Sequence, residues 1–250
     1  VRKIRKYVDR MYVIFPFETD FYKKYGYKAE YEGNPLVDAI HGRAFQEETF
    51  EQFAAANRLP AKPVIALLAG SRSQELKHVL PKMLEMTDYF TDYQFVIAGA
   101  PSMTEADYAP YLKGKSIPVV YGQTYRLLQQ SVVALVTSGT ATLETAILKV
   151  PQVVCYSGEG GSLSYLLFKI FVKVKYISLV NLIMGREVVK ELLMQKLNRR
   201  NLRAELTALL EQAGVRERML SDYEEVNRRL GTSGASRRFA ARMVAELRTK

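Results

Sequence analysis

Short runs of β-branched and other apolar residues recur through the middle of the chain, at Val64 to Leu68, Gln94 to Ala98, Ile117 to Tyr121, Val132 to Val136 and Gln152 to Tyr156. Near-continuous apolar runs of this length suit strands buried on both faces, and the stretches between them are mostly compatible with helix. The rhythm predicts an α/β fold built on a Rossmann-like parallel sheet. Upstream, Met11 to Phe15 reads as a strand, Phe17 to Tyr25 as an aromatic-rich helix and Lys28 to Glu32 as an alternating strand, together the tail of a separate α/β unit. Gly33-Asn34-Pro35 then interrupts the pattern, and the Glu- and Gln-rich stretch 46 to 57 follows, as at a junction between domains. After Asn181 the chain reads as helical, with apolar spacing in Val188 to Leu197, Leu202 to Leu210 and Phe239 to Leu247. The expected domains are 1–35, the end of an amino-terminal domain with its junction; 36–235, the main domain; and 236–250, a terminal helix.

Composition narrows the class. The 250 residues are 48% hydrophobic and 25% charged, enough for a packed core and unlike a disordered or fibrous chain. The longest charge-free run, Leu127 to Leu143, is broken by Gln129, Gln130, Ser131, Thr137, Ser138 and Gly139, so no transmembrane helix is expected. Cys155 is the single cysteine, set among valines as in a buried strand, which suits a reducing compartment. A net charge of +10 calls for an anionic partner: nucleic acid, a phosphorylated metabolite or an anionic lipid surface. The chain starts at Val1, inside the basic stretch Arg2 to Lys6 and with no signal-peptide core behind it, and reads as a fragment of something longer.

In parallel α/β sheets ligands bind where strand ends lead into helix starts. In the loop Leu67 to Glu75, Gly70 lets the backbone approach an anion, Ser71 and Ser73 can cap the next helix, and Arg72 offers a guanidinium to phosphate. The same residues also make an ordinary helix start with a solvated arginine. The loop Val136 to Glu144 runs through Ser138-Gly139-Thr140 into a helix whose first amides lack partners, which is a diphosphate cradle or a plain cap. Glu144, one turn beyond Thr140, can accept hydrogen bonds from two vicinal ribose hydroxyls, or simply favour the helix dipole. Two such loops in one sheet favour a ligand. Neither matches the dinucleotide fingerprint or the P-loop, so a nicotinamide enzyme or an ATPase is disfavoured. Ser157 to Ser162 reads as a flexible connector or a third phosphate loop, and His41 and His78 lack ligand-spaced partners, so no metal site is indicated.

At these residues the chain resembles a known family. Leu67-Leu68-Ala69-Gly70-Ser71-Arg72, Thr137 to Glu144 and Ser178 to Glu187 look together like lipid-A-disaccharide synthase, a family of bacterial inverting glycosyltransferases of the two-domain GT-B type. Phe15 to Glu18, the Phe21-Tyr22 pair and Gly33-Asn34-Pro35-Leu36 are similar to the family's domain junction. Asn34 stands where many members have His, and Ala69 and Val180 replace common prolines. The resemblance covers nearly the whole chain as the carboxyl-terminal two thirds of a member, which implies that most of the acceptor domain and the family's general base, an Asp, lie outside it.

The resemblance implies a donor-binding main domain and the joining of UDP-2,3-diacylglucosamine to 2,3-diacylglucosamine 1-phosphate with release of UDP. Gly70, Ser71 and Arg72 would face the diphosphate, Ser138, Gly139 and Thr140 would cap it, Glu144 would hold the ribose, and Tyr121 and Gly122 would edge the uracil. Arg72 would stabilise the leaving group in place of a divalent metal, and no cofactor is expected. Asn181, Arg186 and Glu187 would lie near the donor or at a subunit contact, and Gly33, Asn34 and Pro35 between domains. The terminal helix would cross back to the first domain, and a homodimer is implied. The segment Leu163 to Val174, with Phe168, Lys169, Phe171 and Lys173, is either a buried helix or one lying on an anionic membrane, as expected of a peripheral protein on the cytoplasmic side of a Gram-negative inner membrane. UDP-N-acetylglucosamine 2-epimerases share the fold and a similar ribose-binding Glu, and offer an alternative. A basic nucleic-acid binder is another, but no recognition motif supports it and nucleic acid is not an expected partner.

Overall fold

The computed structural model describes residues 1–137, 139–157 and 175–248. The chain divides into two compact units, Val1–Ala44 with Glu224–Lys250, and Phe45–Tyr223.

The first unit begins with α1 (Arg2–Tyr7), β1 (Tyr12–Val13), α2 (Pro16–Lys23), β2 (Glu30–Tyr31) and α3 (Pro35–His41). β1 and β2 pair in parallel, Tyr12 with Glu30 and Val13 with Tyr31. Both strands are shorter than the stretches that predict them. Pro16 sits in the first turn of α2 and the Phe15 amide donates to Glu18 Oε2 at 2.9 Å, so the helix starts early and cuts the first strand short.

The second unit carries α4 (Phe50–Asn57), β3 (Val64–Leu68), α5 (Ser73–Leu84), β4 (Gln94–Gly99), α6 (Glu105–Leu112), β5 (Val119–Tyr121), α7 (Thr124–Gln129), β6 (Ser131–Thr137), α8 (Thr140–Ile147) and β7 (Gln152–Tyr156). After these come α9 (Leu179–Met184), β8 (Lys190–Leu193), α10 (Arg199–Glu211) and α11 (Ala213–Leu230). The unit boundary falls within α11, and α12 (Ala235–Arg248) belongs to the first unit. Six strands form one wholly parallel sheet in the order β5-β4-β3-β6-β7-β8.

Alternation along the strands makes two cores. Val64, Ala66, Leu68, Val96, Ala98, Val120, Ala134 and Val136 face α4 and α7, where Phe53, Ala54, Leu127 and Leu128 close one cluster. Ile65, Leu67, Ile97, Val133, Leu135, Val153 and Cys155 point the other way and are fully buried, on the side where α5 and α10 pack on β6 and β7. Burying a side chain of this kind contributes about 1.5–3 kcal/mol, so the central strands anchor the unit.

One expected element differs in kind. Val188 to Leu197 contains a strand, β8, and a short 3-10 turn at Met194–Lys196 in place of a helix. The spacing of Val188, Val189, Leu192 and Leu193 fits a helix face, but pairing with β7 from Val153–Lys190 to Tyr156–Leu193 overrides it.

Candidate functional site

β3 lies at the point where the sheet reverses direction. The chain leaves it for β4 and β5 on one side, then returns to lay β6 against its other edge. Leu68 pairs with Val136, so the loops after β3 and β6 leave the same edge of the sheet side by side, the place where parallel α/β sheets bind ligands.

In the first loop the buried run ends at Ala69, and Gly70 turns the chain at φ +103°, a conformation open to glycine. The expected serine caps are not formed. Arg72 occupies the N-cap position of α5 and Ser73 is already helical. Glu75 closes the loop instead: its Oε2 accepts the Ser71 amide at 2.9 Å and its Oε1 lies 3.7 Å from Arg72 Nη1. The Arg72 side chain is 81% exposed. Ser102, just beyond β4, donates to the Ser71 carbonyl at 3.0 Å and ties the loop to its neighbour.

In the second loop Gly139 is the N-cap of α8, with φ +143° and no side-chain cap. Thr142 Oγ1 donates to the Gly139 carbonyl at 2.8 Å, and Thr140 is exposed in the first turn. Thr137, which ends β6, is buried with its hydroxyl unpartnered among the described residues. Ser138 lies outside the described residues.

Glu144 stands in the second turn of α8, half-buried, and Tyr125 in the first turn of α7 donates its hydroxyl to Glu144 Oε1 at 3.2 Å. Burial raises the Glu144 pKa and the Tyr125 hydrogen bond lowers it. Burial chiefly, with the Glu144 charge, pushes the Tyr125 phenol up to about 12, so it stays a donor at any physiological pH.

Tyr121 ends β5 and Gly122 follows it, two strand spacings or about 10 Å from β3 along the same edge. The Tyr121 ring lies on Gly99, where a Cβ would come within 2.4 Å of it. These residues and the two loops share the carboxyl edge of the sheet.

Two other groups of candidate residues are not brought to that edge. Asn181 is fully buried: Oδ1 accepts the amides of Val188 and Val189 at 2.7 and 3.0 Å, and Nδ2 donates to the Val189 carbonyl and Glu191 Oε1 at 2.9 and 2.8 Å. Glu191 also accepts from the Ile177 and Ser178 amides, so the start of α9 is satisfied by the protein's own carboxylate. Arg186 makes a two-pronged ion pair with Asp222 and Glu187 accepts from Lys190 at 3.0 Å. Both precede β8, which runs parallel to β7, and so lie toward the amino-terminal edge. In the first unit, Gly33 takes φ +111°, Pro35 opens α3, and Asn34 caps it, with Oδ1 accepting the Leu36 amide at 2.8 Å and Nδ2 donating to the Ile14 carbonyl at 2.7 Å.

Phe168, Lys169, Phe171 and Lys173 lie outside the described residues. No group of three or more metal-ligating side chains occurs among the described residues, and no helix among them is long and apolar enough to cross a membrane. Cys155 is buried, which pushes its thiol pKa up.

Tyr125, Glu75 and Thr137 are residues of the carboxyl edge that motif reading did not assign. A signal for Tyr125 exists: βα order puts the first turns of α7 and α8 at the same sheet edge.

Two curated lipid-A-disaccharide synthases illustrate the sequence likeness: that of Anaeromyxobacter dehalogenans strain 2CP-C is 35% identical and that of Geobacter metallireducens 32%. The alignments cover 99% and 100% of this chain and 65% of each relative. The chain thus spans about 65% of the length of the curated relatives it matches. Among solved structures, the Neisseria meningitidis UDP-GlcNAc 2-epimerase bound to UDP-GlcNAc superposes with a TM-score of 0.59 at 16% identity, over 94% of this chain and 61% of that one. The Methanocaldococcus jannaschii UDP-GlcNAc 2-epimerase in complex with UDP-GlcNAc and UDP gives 0.53 at 15% identity, over 87% and 61%. These likenesses are of fold alone, and with the six-stranded parallel sheet they make it the α/β, GT-B type. The model of the lipid-A-disaccharide synthetase family matches residues 1–243, and the chain belongs to that family.

Proposed function

We propose that the chain carries the nucleotide-sugar site of an inverting glycosyltransferase that joins UDP-2,3-diacylglucosamine to 2,3-diacylglucosamine 1-phosphate and releases UDP. One observation carries this reading beyond family membership: the Gly70–Arg72 loop and the start of α8, which has no side-chain cap among the described residues, leave adjacent strands at the reversal point, with Glu144 beside them. The acceptor hydroxyl gives up its proton to a general base and attacks the anomeric carbon while the bond to the diphosphate breaks. Negative charge then grows on the leaving phosphate. Arg72 and the Gly139–Thr140 amides are the groups suited to stabilise it, and Glu144 is suited to hold the ribose diol. The substrates carry acyl chains, so the protein would work as a peripheral protein, cytoplasmic and on the inner membrane, with an anionic surface as partner and as a homodimer.

Calorimetric titration with UDP in EDTA tests the site. Binding is expected without added metal, and binding that requires a divalent ion overturns this reading. UDP-sugar epimerisation is the second reading, left open because the Neisseria enzyme shares the fold. Interconversion of UDP-N-acetylglucosamine epimers by the purified chain would establish it.

A further inference from the structure

We infer that Tyr125 is a positioning residue for nucleotide recognition: its hydroxyl fixes the Glu144 carboxylate so that the other oxygen faces the vicinal diol of a ribose. The inference rests on the nucleotide reading of Glu144 and adds a residue that neither loop motif contains.

Two observations carry it. Tyr125 is the one hydrogen-bond donor that reaches the Glu144 carboxylate among the described residues, at 3.2 Å to Oε1. A carboxylate has about four acceptor sites, so one bond to Oε1 leaves Oε2 able to accept from a ligand.

The phenol also stands on an immobilised helix. Arg126, the next residue, makes a two-pronged ion pair with Glu48 and lies over the Phe45 ring at 4.3 Å. Gln129 donates to the Gln46 carbonyl at 2.7 Å and Gln130 to the Glu48 carbonyl at 2.7 Å, so the segment 45–48 is strapped along α7. At the other end Gln123 and Asn57 exchange amide hydrogen bonds at 2.9 and 3.2 Å, which joins the start of α7 to α4. Tyr125 therefore reaches Glu144 from a fixed point. A carboxylate locked in one rotamer loses less entropy on binding a diol than a free one.

The test is calorimetry on the 250-residue chain with two probes, UDP and 2′,3′-dideoxyuridine diphosphate. The wild-type chain is expected to prefer UDP, and Glu144→Gln to lose most of that preference. Tyr125→Phe, which keeps the ring, is expected to cut the preference about tenfold while leaving affinity for the dideoxy probe unchanged. The double variant should be no weaker than Glu144→Gln alone. A wild-type preference that depends on Glu144 but survives Tyr125→Phe overturns the Tyr125 assignment and leaves the nucleotide reading standing. Equal losses for both probes in Tyr125→Phe also overturn it, since a structural role would act that way. A wild-type chain with no preference, or one unaffected by Glu144→Gln, overturns the ribose role of Glu144 and this inference with it.

Discussion

The Ser71 amide donates to Glu75 Oε2 across 2.9 Å, so the loop that faces the reversal point of the sheet is closed by a carboxylate from its own helix. The closure requires glycine at position 70. Gly70 takes φ +103°, and a Cβ there would lie 2.2 Å from Glu75 Oε2 and 2.7 Å from Glu75 Cβ.

Gly70→Ala therefore meets both backbone strain and collision, and should cost about 1–3 kcal/mol. Urea denaturation of the two proteins measures it. A midpoint equal to that of wild type would mean that the loop relaxes freely. Removing the carboxylate as well, in Gly70→Ala with Glu75→Ala, relieves the collision but not the strain, so part of the loss should remain.

Much of this fold is visible as apolar runs, because strands buried on both faces leave little choice of side chain: Val64 to Leu68 and Gln152 to Tyr156 match β3 and β7 residue for residue. β8 is an edge strand whose apolar positions fit a helix face equally well, and its pairing with β7 involves residues 37 positions apart, Val153 and Lys190. Only the assembled sheet decides between the two. The loops at Gly70 and Gly139 are legible as strand-to-helix turns, because glycine at a strand end serves a positive φ and both residues take one. Tyr125 is less legible, since an aromatic in the first turn of a six-residue helix is ordinarily core, and its partner lies 19 residues away across β6.

Asn181→Leu should destabilise the second unit without weakening UDP binding in the folded fraction. The amide side chain joins the start of α9 to the entry of β8, and its loss leaves the Val188 and Val189 amides and part of Glu191 without partners. Each buried unsatisfied group costs about 1–3 kcal/mol, so a loss of at least about 2 kcal/mol is expected. Thermal unfolding and calorimetry together separate the two effects. Lost UDP affinity at normal stability would instead place Asn181 at the ligand.

Arg126→Met should cost about 3–5 kcal/mol, because the Glu48 side chain is 7% exposed and would be left charged and unpaired. Replacing both partners, Arg126→Met with Glu48→Leu, should recover most of the loss, since an apolar pair needs no desolvated charge. Denaturant midpoints of the three proteins give the answer. A double variant as unstable as the single one would show that the packing of the Arg126 side chain over Phe45, and not an unpaired charge, sets the loss.

Glu144 gives a pH dependence whose sign is fixed by its environment. Burial raises its folded pKa above the unfolded value, so between the two values the native chain binds more protons than the unfolded one. Stability contributed by the protonated form is present below the unfolded pKa, about 4.3, and is lost as pH rises through the folded pKa. Glu144→Gln removes the ionisation and keeps an acceptor for Tyr125. The variant should therefore be more stable than wild type at pH 7, with the gap closing below about pH 4. Urea midpoints across this range measure it, and a gap that widens toward acid would contradict the direction of the shift.

Arg72 tests how the proposed site would hold a phosphate. Its side chain is 81% exposed and 3.7 Å from Glu75, so no buried contact is lost when it is shortened, and Arg72→Ala should leave stability nearly unchanged. A guanidinium in that position is instead free to swing onto an anion at the strand ends, where it offers a charged, forked donor to phosphate oxygens. If it acts so, Arg72→Ala should weaken UDP binding about tenfold or more while leaving uridine binding unchanged, because uridine carries no phosphate. Arg72→Lys keeps the charge without the fork and should fall between the two. Raising salt from about 0.05 to 0.5 M should weaken UDP binding to wild type more than to Arg72→Ala, as an exposed ion pair is screened. Equal losses for UDP and uridine would instead assign Arg72 to the shape of the loop, leaving the α8 amides and Thr140 as the phosphate contacts.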